Sequence, residues 1–358
     1  MSFLVLLSSL FFCFSIQAQY TFKPSSDLHC STIKDQDRTG TCWSFATTSF
    51  LESEIWRTKQ LNIDLSEMYS VRATYLDKAQ NYLFRQGKAN FSEGSLSHDV
   101  INALRQVGII PETAFSGKLN ANKRHDHGEL LAASKGFLDG LNRRKTLSPQ
   151  WKAAMNGILD SYLGQVPASF DYKGKKYSPQ EFAKFLEINP DNYISITSFT
   201  HHPFYTNFVL EIPDNYSNGS YLNIPIDSLE NLVDKALKNG FTVAWDGDVS
   251  EKGFRHAKGL AIVPVEAERD DLWESPGAEK TVDQAMRQVC FENKQTTDDH
   301  LMHLTGIAYD KRGTKYYKVK NSWGTSNAKK GFLYLSSAYF RLKTVAVLLH
   351  KEALNLQK

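Results

Sequence analysis

Residues 36–46 read Gln-Asp-Arg-Thr-Gly-Thr-Cys-Trp-Ser-Phe-Ala, a polar loop that runs into a helical pattern at Cys42. From there, apolar residues recur at helical spacing; they are Phe45, Ala46, Phe50, Leu51 and Ile55. The free N–H groups of a first helical turn favour negative charge, so this position suits a thiolate. A lone cysteine is more often a small apolar core residue, however, so Cys42 needs supporting features.

Three other features supply that support. Gln36 stands six residues before Cys42, where its amide and the Cys42 N–H can form an oxyanion hole. Far downstream, His300 offers an imidazole and Asn321 an amide that can hold it, which gives a Cys-His-Asn arrangement. The indole of Trp323, two residues after Asn321, is placed to cover the bond between them.

These segments resemble papain-like cysteine peptidases in four places. They are the Gln36 loop, Cys42-Trp43-Ser44-Phe45-Ala46, His300 six residues before Gly306, and Asn321-Ser322-Trp323-Gly324. The resemblance implies a catalytic set of Cys42, His300, Asn321 and Gln36. It also implies a substrate-binding set of Gly94, Ser95, Asp299 and Trp323, in which Ser95 replaces a second glycine that is usual in the family.

His303 competes with His300 for the role of general base. Side chains alternate between the faces of a strand, so positions three apart point to opposite sides and only one can face the thiol. The distance to Gly306 and the preceding Asp299 favour His300, which leaves His303 as a core or surface residue.

The chain resembles the bleomycin hydrolase and aminopeptidase C branch most closely within this superfamily. His300 follows Cys42 by 258 residues, whereas the simple papain arrangement needs only about 130–150. We therefore assign residues 20–111 to a helical lobe with the nucleophile, 112–240 to an insertion, and 241–358 to a β-rich lobe with the histidine and asparagine.

The hydrophobic pattern places helices first and strands last, which predicts an α+β protein of two lobes, the second resembling a β-barrel. Helices are predicted at Ser66–Phe84, Leu96–Val107 and Ile226–Lys238, and residues 112–190 are expected to be mostly helical. Strands are predicted at Phe241–Trp245, Leu260–Val265, His300–Tyr309, Lys315–Lys320, Gly331–Leu335 and Thr344–His350.

Composition excludes several classes of protein. A net charge of +3 and 12% aromatic residues argue against a disordered chain and give no basic footprint for nucleic acid. The pairs His125/His127 and His201/His202 lack the spacing of a zinc site, so neither a metal nor a cofactor is expected. Glu52 and Glu67 are expected to be buried structural carboxylates rather than catalytic ones.

The first residues have the pattern of a secretory signal. Leu4 to Ile16 carry no charge, which is too short a run to span a bilayer, and the polar chain begins near Ala18. We therefore expect a secreted or periplasmic protein with residues 1–19 removed and no membrane anchor. In an oxidising compartment, Cys30 and Cys290 are the pair available for a disulfide.

Together these features predict a secreted thiol peptidase that acts on peptides, as an aminopeptidase. The alternatives are an endopeptidase of the same fold and a papain-fold protein that binds peptides without turnover. An aminopeptidase must block one side of its cleft, which either the C-terminal residues 351–358 or the insertion could do. The branch often forms large rings, and the sequence leaves open whether this chain is a homo-oligomer.

Overall fold

The computed structural model describes residues 20–120 and 124–357. The proposed signal peptide, residues 1–19, lies outside the described residues. Within the described ranges, no helix is both long and apolar enough to cross a membrane.

A helical lobe surrounds one deeply buried helix. After β1 (Lys23–Asp27) come α1 (Cys42–Lys59), α2 (Glu67–Phe84) and α3 (Ser97–Val107). Every residue of α1 from Cys42 to Ile55 is buried, so this helix forms the centre of the lobe. The Ser66 hydroxyl caps α2 by accepting the Tyr69 N–H at 3.1 Å, as Ser residues before a helix commonly do. The helices predicted from Ser66 and Leu96 are confirmed to within one residue.

The insertion contains both helices and strands. Its elements are α4 (Gly128–Asn142), α5 (Gln150–Leu163), β2 (Phe170–Tyr172), β3 (Lys175–Tyr177), α6 (Pro179–Phe185), β4 (Tyr193–Thr197), β5 (Asn207–Val209), β6 (Ser220–Asn223) and α7 (Ile226–Lys238). The helix predicted at Ile226–Lys238 is confirmed. The β2–β3 hairpin is absent from the sequence prediction, because three-residue strands are too short to show a period.

The C-terminal part supplies the remaining strands. They are β7 (Val243–Gly247), β8 (Phe254–Arg255), β9 (Leu260–Ala261), β10 (His300–Tyr309), β11 (Lys315–Lys320), β12 (Phe332–Ser336) and β13 (Thr344–His350), with α8 (Gln284–Glu292) and α9 (Ser337–Lys343) between them. The predicted limits of β10, β11 and β13 are confirmed. The strand predicted at Leu260–Val265 is wrong beyond Ala261.

One mixed sheet joins the insertion to the β-rich lobe. Its order is β5-β6-β4-β13-β7-β10-β11-β12-β9-β8, and β1 pairs with the far half of β10. The α+β class is confirmed, and the two ends of the sheet in the described residues are β5 and β8, so these strands do not close into a barrel. Strand β10 lies in the middle and carries His300 at its first position.

The cysteine pairing expected from the sequence is wrong. Cys30 and Cys290 are both free thiols. Cys290 lies on α8 in a small apolar cluster with Val282 and Leu342, and its thiol donates to Gln295 Oε1 at 3.5 Å. Cys30 instead lies near the ammonium groups of Lys318 and Lys320, so the two sulfurs belong to different environments.

Candidate active site

The N-terminus of α1 holds Cys42 against the loop that precedes it. Cys42 is the first residue of the helix and is 8% exposed. The loop is fixed by a bond from the Gln36 N–H to the Ser322 carbonyl at 2.8 Å. The next residue, Trp43, donates its indole N–H to the carbonyl of Glu93 at 3.0 Å. These hydrogen bonds fix the backbone around Cys42 by joining three segments of the chain, at Gln36, Glu93 and Ser322.

Strands β10 and β11 bring the histidine and the asparagine together. His300 Nε2 lies 2.8 Å from Asn321 Oδ1, and both side chains are buried. The Ser322 N–H also donates to Asn321 Oδ1, at 2.8 Å, which fixes the amide orientation. With Nε2–H donating to Asn321, the other ring nitrogen of His300, Nδ1, is free to accept a proton. The Trp323 ring lies over the His300 ring, with their centroids 4.5 Å apart.

Leu301 connects this pair to the thiol. Its backbone N–H, one residue after His300, hydrogen-bonds the Cys42 sulfur and lowers the pKa of the thiol. The sulfur and the imidazole therefore share one buried junction between the two lobes.

Burial opposes an isolated charge on either group. It raises the pKa of the Cys42 thiol to about 12 and lowers the pKa of the His300 imidazole to about 4. The helix N-terminus alone therefore does not keep Cys42 as a thiolate. Because a thiolate and an imidazolium neutralise each other, the charged forms are expected only together.

Gln36 is oriented by both ends of its amide. Its Oε1 accepts the Ser322 hydroxyl at 2.7 Å, and its Nε2 donates to the Thr39 carbonyl at 2.6 Å. An amide NH₂ has two N–H donors. The Thr39 bond uses one of them, and the loop places Gln36 beside the asparagine segment.

His303 lies on the same strand but in a different environment. Its Nδ1 is 2.9 Å from Ser49 Oγ, which also accepts from Lys320 Nζ at 2.8 Å. The side chain is 1% exposed, so His303 is a core residue, one of the two options that the sequence left.

The structural carboxylates of the helical lobe are buried as expected. Glu52 accepts the Leu65 N–H at 2.8 Å, and Glu67 pairs with Lys34 at 2.6 Å. They support the turn before α2.

The predicted substrate-binding residues have different surroundings. The Ser95 hydroxyl donates to Asp99 Oδ2 at 2.6 Å, so it points into α3 and leaves the backbone free. The Gly94 carbonyl accepts a hydrogen bond from the buried Lys78 ammonium. Asp299 accepts the Val249 N–H at 2.9 Å, and burial raises its pKa to about 6.

Three further carboxylates surround the thiol, and sequence reasoning missed their role. They are Asp246 on β7, Asp298 before β10 and Asp214 in the insertion, and each raises the pKa of Cys42. The only sequence signal was the doublet Asp298-Asp299 directly before His300. Asp214 carries no signal, because only the fold brings the insertion to the cleft.

Two histidine pairs set aside from the sequence have ordinary partners. His201 and His202 both bond Glu211 through Nε2, at 3.2 and 2.7 Å, and these three side chains could hold a metal ion only at the surface. His127 bonds the Tyr75 hydroxyl at 3.0 Å inside the fold, and burial lowers its pKa to about 4.

The tail after β13 lies far from Cys42. Residues Lys351–Gln357 form a 3-10 helix, in which Ala353 is buried and Glu352 lies 3.7 Å from Arg57. Arg57 is in the last turn of α1, about 22 Å from Cys42 at 1.5 Å per residue. The described tail therefore contacts the opposite end of the central helix.

Comparison with known proteins agrees with this geometry. Residues 166–358 match the model of the Peptidase C1-like family, and residues 21–115 match that of the papain family cysteine proteases. Aminopeptidase G of Lactobacillus delbrueckii subsp. lactis is 24% identical, covering 92% of this chain and 83% of that protein. Aminopeptidase C of Listeria innocua is also 24% identical, covering 92% and 82%.

A solved structure shows the same fold. The crystal structure of PepW from Lactobacillus rhamnosis HN001 superposes with a TM-score of 0.72 at 21% identity, over 94% of this chain and 84% of PepW. More than half of the present sequence matches the first family model. The chain therefore belongs to the Peptidase C1-like family of papain-like cysteine peptidases.

Proposed function

We propose that this chain is a secreted cysteine aminopeptidase that hydrolyses peptides through Cys42, His300 and Asn321. The observation that carries the proposal is the 2.8 Å contact between His300 Nε2 and Asn321 Oδ1, at the point where Leu301 touches the Cys42 sulfur. A hydrogen-bonded base beside a helix-terminal nucleophile is the arrangement that covalent catalysis requires.

The steps follow from the positions of the groups. The thiol gives its proton to Nδ1 of His300 as the sulfur attacks the peptide carbonyl. The Cys42 N–H and the second N–H of Gln36 stabilise the oxyanion, and His300 then protonates the leaving amine. A water activated by His300 releases the acyl group. Asn321 and Trp323 hold the imidazole plane throughout.

The aminopeptidase mode has two supports. The curated relatives described above are named aminopeptidases. In this chain, a Cβ atom built on Gly94 would overlap the carboxylate of Asp214, so the insertion covers the cleft at the substrate-pairing segment. We expect this carboxylate to hinder a peptide that extends past Gly94 more than one whose free N-terminus lies nearby.

Labelling of the thiol tests the chemistry. An epoxide that traps papain-like thiols should modify Cys42, and peptide should protect it, as read by mass spectrometry. Cys290 is a matched internal control, since it is also a buried free thiol but lies outside the site. Labelling of both thiols at equal rates would contradict an activated Cys42.

Reporter peptides test the mode of cleavage. A dipeptide reporter with a free amine should be cleaved in preference to its N-acetylated form. Equal cleavage of both would indicate an endopeptidase, and peptide binding without any turnover would indicate a binding protein. Secretion is tested separately, by N-terminal sequencing of the protein from its native host, which should begin near Gln19 or Tyr20.

A further inference from the structure

Asp246 and Asp298 form a pair of carboxyl groups beside the catalytic junction. Asp246 lies opposite Leu301 in the antiparallel ladder of β7 and β10. Directly opposite residues have their Cα atoms about 4.5–5.5 Å apart and their side chains on one face. Leu301 packs in the same apolar cluster as Cys42, so Asp246 also faces the helical lobe.

This pair has oxygen atoms without donors. Asp246 is 4% exposed, and a hydrogen bond joins its carboxyl group to that of Asp298. No other described residue donates to either oxygen of Asp246 or to Asp298 Oδ2. Within the described ranges, neither residue forms an ion pair with Lys, Arg or His. Buried carboxylates are almost always paired with donors, so two carboxyl groups held only by a proton between them have room for a ligand.

The missing ligand must be a cation with hydrogen-bond donors. Asp298 and Asp214 are the charged neighbours that most raise the pKa of Asp246, after burial itself. Two adjacent carboxylates cannot both ionise unless a positive charge joins them. An ammonium group carries one positive charge and three N–H donors, so it can replace the shared proton and donate to both carboxylates.

Distance from the thiol selects which ammonium group fits. In a peptide with a free N-terminus, the α-nitrogen is two bonds from the first carbonyl carbon, about 2.5 Å away. The carboxyl pair adjoins Leu301, whose N–H touches the Cys42 sulfur. The α-ammonium of the first residue therefore reaches the pair while its own carbonyl lies at the sulfur.

Asp214 and a cavity complete the surroundings. The segment between β5 and β6 brings Asp214 over Gly94, where Asn90 Nδ2 holds Asp214 Oδ1 at 2.9 Å. Asp298 also lines a cavity of about 690 Å³ between the insertion, at Ile212 and Pro213, and α8, at Phe291. The cavity therefore gives access to Asp298, and Asp214 lies beside it at the Gly94 segment.

We propose that Asp246 and Asp298 bind the α-ammonium group of the peptide substrate and so limit cleavage to the first peptide bond. This inference rests on the proposed aminopeptidase function and names the residues that create its selectivity. When the substrate enters, the proton shared by the two carboxyl groups leaves and the ammonium takes its place.

The test compares two reporters on purified full-length enzyme. Asp246→Asn keeps the size of the side chain and removes its charge. Its kcat/KM for the free-amine dipeptide reporter should fall roughly 10- to 100-fold, mainly through KM, because a hydrogen bond to a charged group is lost. Its kcat/KM for the N-acetylated reporter should be unchanged or higher. Asp298→Asn should act in the same direction.

The matched control is Glu292→Gln, an exposed carboxylate on the rim of the same cavity that accepts from Gln288 at 2.9 Å. This substitution should leave kcat/KM unchanged for both reporters. If Asp246→Asn does not fold, as judged by circular dichroism, Asp298→Asn and inhibition by leucinamide against N-acetyl-leucinamide supply the same comparison.

The possible failures are separable. A wild-type enzyme without preference for the free amine would overturn the aminopeptidase function itself. Suppose that the wild-type enzyme prefers the free amine. An Asp246→Asn variant that keeps this preference, or that loses activity on both reporters equally, would then overturn only the present inference. The best substrate could instead be an acetylated peptide with Lys before the cleaved residue. That result would show that the carboxyl pair binds a basic side chain, and it would also overturn the present inference.

Discussion

The edge formed by β10 and β11 differs from the carboxyl cluster beside it in how its polar groups are satisfied. At the strand edge, His300, Asn321 and Ser322 are joined by short hydrogen bonds and covered by Trp323. In the cluster, the carboxyl group of Asp298 is the one hydrogen-bond partner of Asp246 among the described residues. The first region is complete before substrate arrives, whereas the second is complete only with a cation.

This difference separates chemistry from selectivity. Catalytic groups must be preorganised, since reorganisation during the reaction raises the barrier. A group that recognises substrate can remain unsatisfied in the free enzyme, because the substrate supplies what it lacks. The predictions below test the complete region first and the incomplete one last.

Cys42→Ala should produce the largest loss. The thiol is the nucleophile of the proposed reaction, so turnover should fall at least several hundred-fold. The substitution removes one sulfur atom from a small side chain, so the melting temperature should change little. Activity on the free-amine reporter and a thermal melt measure both effects, and retained hydrolysis would end the peptidase assignment.

His300→Ala should lose as much activity as Cys42→Ala. In this variant the Cys42 thiol should also become unreactive toward alkylating agents. Burial sets the pKa of a lone Cys42 thiol to about 12, so without the imidazole the thiol stays neutral at pH 7. Alkylation by iodoacetamide should then be slow at pH 7 and rise with pH, in contrast to wild type.

His303→Ala is the matched control on the same strand. It removes the contact with Ser49 and leaves a cavity, so it should cost about 1–3 kcal/mol of stability with a much smaller loss of turnover. If His303→Ala had no turnover while His300→Ala kept it, His303 and not His300 would be the general base.

The sequence predicted the complete region far better than the incomplete one. His300 and Asn321 stand at the ends of long strands whose period is visible, and Cys42 at the start of a strongly apolar helix. Asp214 lies in an irregular segment between two strands of three and four residues, where no period exists. Asp246 looked like any polar residue ending a strand, since burial and missing donors are visible only in three dimensions.

Gln36→Ala should have an intermediate effect. Removing one oxyanion donor costs about 10²-fold in kcat or more. The same change also removes the bond from the Ser322 hydroxyl, so Ser322→Ala is needed as a control for that contact. A loss in Gln36→Ala no larger than in Ser322→Ala would mean that Gln36 only supports the loop.

The smallest expected effect concerns stability and its dependence on pH. Burial, with Asp214 and Asp299 as further negative neighbours, raises the pKa of Asp298 to about 7, and the pKa of Asp246 is raised as well. A carboxyl group whose pKa is higher in the folded than in the unfolded state holds its proton preferentially when folded. This pair therefore contributes a fall in the unfolding free energy of the free enzyme as pH rises from about 4 to about 7.

Asp246→Asn should weaken this dependence. At pH 8 the unfolded chain has lost both protons, whereas the folded pair still resists ionisation; Asp246→Asn removes this cost and should stabilise the fold by about 1–3 kcal/mol. At pH 4, where both groups are protonated, the substitution should be close to neutral. Tyr221 and Cys42 also border the cluster and Lys78 lies near Asp214, but all three are the same in wild type and variant, so their titration cancels in the difference. Urea unfolding of both proteins at the two pH values measures it. A variant that is less stable than wild type at pH 8 would show that Asp246 already has a cationic or donor partner in the free enzyme, and the contrast between a complete and an incomplete region would not hold.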